Sequence, residues 1–235
     1  MSKKCGIVQP YFFPYYGYFQ LINLADHFVF YDDVNFISRG WINRNYILVN
    51  KKRQYITVPC SSKSQNKLIN EVELSLNSKI RKKLLKTIRF NYSKAPFFDS
   101  VFTLIENVLK LDTNKISELS IYSIKSVLEY LNISTETHIA SELPIPNDQD
   151  RSERLIEITK FLGCDNYVNP IGGTELYDKE YFEKFDIKLN FIKPSNIKYN
   201  QFDNQFVSNL SIIDVLMFNR PEIIKLDFLS EYELI

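Results

Sequence analysis

The sequence predicts an α/β fold, a mostly parallel sheet flanked by helices, and three observations carry that reading. Residues 6–44, GIVQPYFFPYYGYFQLINLADHFVFYDDVNFISRGWINR, run as apolar strand, helix and second apolar strand. An alternation of strand and helix resumes after residue 135. Between the two lie a hairpin pattern and three amphipathic helices instead of further parallel strands.

Gly6-Ile7-Val8 is a short apolar run broken at Gln9-Pro10, and Pro14 presets a helical φ where its missing N–H costs nothing, so a helix is expected to start there. Leu21, Ile22, Leu24 and Ala25 give that helix its apolar side, and residues 28–31 follow as a buried strand ending at Asp32-Asp33. Parallel strands joined this way cross over right-handed, and Rossmann-like sheets of this kind bind ligands at the carboxyl ends of their strands. Residues 46–49 and 55–58 flank the polar turn 50–53 as an antiparallel hairpin expected to insert into, or extend, the sheet. Asn77 or Ser78 can cap a helix with apolar Ile80, Leu84, Leu85 and Ile88, Pro96 ends it, and residues 97–110 and 115–131 read as two more helices. Then come a strand at 136–140, a Pro-rich turn, a helix over 151–162 with Gly163 just past its end, and a strand at 166–170. A tight loop at Gly172-Gly173, a helix over 178–185, a strand at 188–192 and a helix over 210–218 complete the pattern. The organisation expected is one α/β domain over residues 1–235, with a hairpin insertion at 45–59 and a helical insertion at 78–131.

A hydrophobic fraction of 45% suffices for a core, and 29 basic against 28 acidic side chains leave a net charge of +1, which excludes a global electrostatic footprint for nucleic acid. Cys5, Cys60 and Cys164 fit no metal spacing and cannot all pair, so a reducing cytoplasm is the expected home. No run of about 18 apolar residues predicts a membrane span. There is no GxGxxG and no GxxxxGK[ST]. His27 stands at the start of the second strand, the wrong end for such a pocket, and His138 is solitary in the sequence, so neither a Ser-His-Asp hydrolase nor a zinc enzyme is expected, and no metal site is predicted.

The candidate pocket therefore lies at the strand ends. Gln9 and Tyr11 follow the first strand, Tyr15 and Tyr18 open the helix, and Asp32 and Asp33 close the second strand. The two aspartates either cap a turn or hold a metal, a ribose or an attacking amine, and alternation lets at most one of them face the pocket. Arg39, Asn43 and Arg44 suit an anionic ligand or are solvated loop groups. The helix over residues 79–89, from Lys79 to Arg89, has a basic outer face that is either solvated or a contact for tRNA, an acyl carrier or a nucleotide phosphate. Gly172, Gly173, Asn209, Ser211 and Asp214 form a second polar concentration, with Ser211 and Asp214 also an ordinary capping arrangement.

Residues 7–17 (IVQPYFFPYYG), 25–34 (ADHFVFYDDV), 41–45 (WINRN), Gly172-Gly173 and 209–214 (NLSIID) resemble the WbqC-like protein family, associated with surface-polysaccharide (O-antigen) gene sets. That resemblance implies a role near sugar-nucleotide modification. The segment around Pro14 to Phe30 also resembles the helix and strand of the nucleotidylyltransferase-like (HUP) superfamily, with Tyr15 and Tyr18 at its two histidine positions. Tyrosine offers no cation, which implies either different ATP chemistry or a donor activated elsewhere.

The leading expectation is a cytoplasmic transferase forming an amide on an amino sugar carried by a sugar nucleotide. Its acyl donor would be an aminoacyl-tRNA, an acyl-CoA or an ATP-derived adenylate. Asp33 would orient or deprotonate the amine, Arg39 and Arg44 would hold diphosphate or donor carboxylate, and Gln9, Tyr15 and Tyr18 would line the pocket. The alternatives are a non-catalytic sugar-nucleotide-binding or assembly protein and, with only Asp32-Asp33 as a partial DxD echo, a glycosyltransferase.

Overall fold

Segments of four to seven residues, too short for helices, form the parallel strands β1 (Lys4–Val8), β2 (His27–Phe30), β5 (Glu136–Ile139), β6 (Asn166–Pro170) and β7 (Lys188–Pro194), of which β5, Glu-Thr-His-Ile, is the most polar. The computed structural model describes residues 2–61, 64–202 and 205–235. A last strand, β8 (Tyr232–Leu234), pairs antiparallel with β7, giving the order β5-β2-β1-β6-β7-β8. The chain builds outward from β1 in one direction through β2 and β5, then in the other through β6 and β7. The order of the strands thus reverses between β1 and β6, which pair in register from Lys4↔Asn166 to Gly6↔Val168.

Helices cover both faces. Alternation along β2 sends Phe28 and Phe30 to one face, with α1 (Tyr16–Leu24), and Val29 and Tyr31 to the other, with α5 (Arg151–Phe161) and α6 (Lys179–Glu183). The first face also carries α2 (Ser78–Tyr92), α3 (Phe98–Lys110), α4 (Ile116–Tyr130) and α7 (Ile212–Phe218). On α3, Val101, Phe102, Ile105, Val108 and Leu109 are buried, each side chain contributing roughly 1.5–3 kcal/mol. No helix among the described residues is long and apolar enough to cross a membrane.

Some boundaries follow expectation and others differ from it. The helix α1 begins at Tyr16 with Tyr15 as its amino-terminal cap, so Pro14 precedes its first turn. Asn77 caps α2, its side chain accepting from the Ile80 N–H at 3.0 Å. Gly163 takes φ 67° just past α5, the left-handed conformation that ends a helix. The hairpin β3 (Arg44–Val49) and β4 (Lys52–Thr57) forms a two-stranded sheet of its own and does not join the parallel sheet. Its turn is only Asn50-Lys51, both with positive φ, which closes the strands tightly at Val49↔Lys52. The strand β8 had no counterpart in the sequence reading.

A buried polar chain fastens the hairpin, α2 and α7 together. The Leu48 N–H donates to the Tyr92 hydroxyl, which donates to Asp214, and Tyr199 and the Gln201 amide also donate to that carboxylate at 2.7 and 2.6 Å. Burial pushes the Asp214 carboxyl up to about 6, against the lowering pull of its three hydrogen bonds. A carboxyl whose folded pKa is raised holds its proton where the unfolded chain releases it. Its stabilising contribution is full below about pH 4 and is lost as pH rises through about 6, by about 3 kcal/mol in total. Urea unfolding of wild type and Asp214→Asn between pH 4 and 7 checks this: the wild type should lose stability relative to the variant across that range, and parallel profiles would refute it.

Candidate functional site

At the reversal between β1 and β6, a cavity of about 930 Å³ opens beyond the carboxyl ends of the strands. This is where open α/β sheets place ligands. Gln9 enters from the end of β1, Asp33 from the end of β2, Asn169, Gly172 and Gly173 from the end of β6, and Arg151 and Arg154 from the first turn of α5. The two-residue period decides which aspartate is there. Asp33 lines the cavity, while Asp32 turns away and accepts from the Ser141 N–H at 3.0 Å and the Ser141 hydroxyl at 2.8 Å. Burial raises the Asp32 carboxyl above its ordinary value, with the Ser141 bonds opposing.

Asp33 is taken up by Arg154. The guanidinium donates from Nη1 to Oδ1 at 2.9 Å and from Nη2 to Oδ2 at 2.5 Å, and lies 5.0 Å from the ring centre of Tyr31. Arg154 is only 1% exposed. Burial alone would lower its pKa, but the bonds to Asp33 and the neighbouring Tyr31 more than offset that and the pKa is raised, so the guanidinium stays charged. Its buried Nε has no hydrogen-bond partner among the described residues. Around the pair, burial raises the phenols of Tyr31, Tyr167 and Tyr177, keeping them neutral donors. Gly173 is where the loop needs no side chain: an added Cβ would fall 2.0 Å from the Asn169 Oδ1.

A second, aromatic pocket of about 420 Å³ is lined by Tyr11, Tyr15, Trp41, Asn45, Tyr46, Arg53 and Asn209. Trp41 meets Tyr46 edge-on, and Tyr46 stacks on Tyr55 at 4.1 Å. The segment from Gln9 to Tyr15 borders both pockets, and its shape is held at Phe13, whose φ of 42° is costly for a bulky residue. The Phe13 carbonyl accepts from Asn45 Nδ2 and Ser211 Oγ, both at 2.7 Å, and its N–H donates to Ser123 Oγ at 3.2 Å.

The residues singled out in the sequence thus separate. Gln9, Asp33, Gly172 and Gly173 meet at the first cavity, and Tyr11, Tyr15 and Asn209 at the second. Tyr18 is buried, its hydroxyl donating to the Gln9 carbonyl, and Asn43 donates to the Val58 carbonyl. Ser211 caps α7 and Asp214 lies inside the network described above. Arg44 donates to the carbonyls of Gly40 and Arg39 and lies over the Tyr55 ring, and Arg39 is exposed with φ 61°. His138 is not solitary in the fold, for its Nε2 lies 3.1 Å from His27 Nδ1. Arg151, Arg154, Trp41 and Arg53 escaped the sequence reading. For Arg154 a signal existed: it shares a helical face with Ile158, four residues on, where an apolar side chain is the rule.

Residues 9–226 match the WbqC-like protein family. This chain belongs to that family. It is also 28% identical over 229 residues to the uncharacterized protein Rv1507c of Mycobacterium tuberculosis, covering 92% of this chain and 94% of the relative. No solved structure matches the chain. In this WbqC-like chain, the switch-point cavity offers amides and phenols for hydroxyl groups and a guanidinium, Arg151, for an anion.

Because Asp33 and Arg154 are both buried, removing one leaves the other uncompensated. Arg154→Ala should cost roughly 3–5 kcal/mol in chemical denaturation, and the double change Arg154→Met with Asp33→Leu should recover most of it. Additive losses in the double variant would argue against the pair.

Proposed function

We propose that this WbqC-like chain is a transferase that forms an amide on a nucleotide-linked amino sugar in polysaccharide biosynthesis. Family membership supports the pathway. The observation that carries the rest is the cavity at the strand-order reversal, where amides and phenols stand beside Arg151 on the first turn of α5. A sugar needs many neutral hydrogen-bond partners, and a diphosphate needs a guanidinium and the free N–H groups of a helix start. In this reading the amine nitrogen attacks the acyl carbonyl carbon, the new C–N bond forms as the acyl–oxygen or acyl–sulfur bond to the donor breaks, and the amine's proton passes to the departing oxygen or sulfur, directly or through water. Asp33 then serves by holding Arg154 in place instead of acting as the base.

The aromatic pocket suits the donor. Aminoacyl-tRNA, acyl-CoA and acyl-adenylate all present an adenine ring, which Trp41, Tyr15 and Tyr46 would flank, with Arg53 for a phosphate. Exposed Lys79, Lys82, Lys83 and Lys86 on α2 would meet a tRNA or acyl carrier. A second reading, a binding protein without catalysis, is favoured by one observation: both carboxylate oxygens of Asp33 are engaged.

Calorimetry with UDP-linked amino sugars tests the binding step. Wild type should bind, and Arg151→Ala should weaken binding by about tenfold or more, the scale of a lost charge-assisted hydrogen bond. No binding by any sugar nucleotide would overturn both readings. Mass spectrometry of mixtures with the three donor classes then separates them, since binding without an amide product from any donor rejects the transferase.

A further inference from the structure

The chain contains two histidines, 111 residues apart in sequence, and the fold brings them together at the amino end of the sheet, opposite the cavity. His27 opens β2, opposite Glu136 at the start of the edge strand β5, and His138 lies two residues further along β5. The two-residue period puts all three side chains on one face. His27 Nδ1 lies 3.1 Å from His138 Nε2 and 3.5 Å from Glu136 Oε2, and His138 Nε2 lies 3.6 Å from Glu136 Oε1.

Those distances fit one ion. Tetrahedral zinc with ligands at about 2.0–2.1 Å holds its ligand atoms about 3.3 Å apart, so the triangle has the dimensions of one face of such a site. Two imidazoles and a carboxylate suit a borderline metal better than Mg²⁺ or Ca²⁺, which prefer an all-oxygen shell. The histidines are 14% and 20% exposed and Glu136 65%, so the triad is open to solvent on its carboxylate side. The described residues contain no other group of three such ligands.

We infer that His27, Glu136 and His138 form a zinc site, completed by water, that clasps the edge strand β5 to β2. An imidazole–imidazole hydrogen bond without metal is the competing account of the same distance. Titration of metal-free protein with Zn²⁺ alone decides between them. Wild type should bind one Zn²⁺ per chain, an excess of Mg²⁺ should leave that binding unchanged, and Co²⁺ should give the visible absorption of a four-coordinate site. His27→Gln, His138→Gln and Glu136→Gln should each weaken Zn²⁺ binding about tenfold or more. Circular dichroism confirms that each is folded, and Glu136→Gln, at an exposed position, keeps the test decisive if a histidine variant does not fold. Absence of stoichiometric Zn²⁺ binding, or equal affinity in wild type and the folded variants, would overturn the site.

Discussion

The pair between Asp33 and Arg154 fixes the cavity end of this molecule. Asp33 ends the run that begins as β2, and Arg154 belongs to the first turn of α5, so one bidentate contact joins two elements on opposite sides of the strand-order reversal. Burying two charges costs several kcal/mol each, and the cost is offset only when the geometry is good. The fork of the guanidinium supplies that geometry, and Tyr31 covers its face. The amino end of α5 is thereby held at the cavity, and Arg151, three residues earlier on the same turn, is carried with it.

The connection from β1 to α1 solves a different problem. Glycine-rich loops at this point let backbone approach a phosphate closely. Here the loop from Gln9 to Tyr15 contains no glycine and four aromatic residues. The left-handed turn at Phe13 would cost about 1–3 kcal/mol, and it persists because Asn45, Ser123 and Ser211 hold both polar groups of its backbone. Those three side chains come from the hairpin, α4 and the cap of α7. The hairpin and the helical segment between β4 and β5 therefore act as scaffolding for this loop, and the aromatic pocket is one result.

What the sequence made legible follows from the range of the forces involved. The strands, most helices and the opposite facing of Asp32 and Asp33 depend on local period, and they could be read. The separate sheet of β3 and β4 depends on Ile47, Leu48 and Ile56 entering the same buried cluster as residues of α2 and α7, which no local pattern records. The strand β8 is three residues long and is defined by its partner β7 rather than by its own sequence. Arg154 looks like one more helix charge until Asp33 is seen beside it. Arg44 presents the opposite case, since its position suggests an anion site while its Nε and one Nη donate to the loop carbonyls of Gly40 and Arg39.

The edge strand β5 ties these observations together. At its carboxyl end the chain leaves through Ala140 and Ser141, where Asp32 accepts two hydrogen bonds, and then runs on to supply Asn147, Asp148 and Gln149 to the cavity wall. At its amino end stand Glu136 and His138 against His27. An edge strand has a partner on one side only, so its position depends more than that of any interior strand on what fastens its ends. The two aspartates thus divide the work. Asp32 fastens the strand that frames the cavity, Asp33 fastens the helix that faces it, and both are set by a single step of alternation along β2.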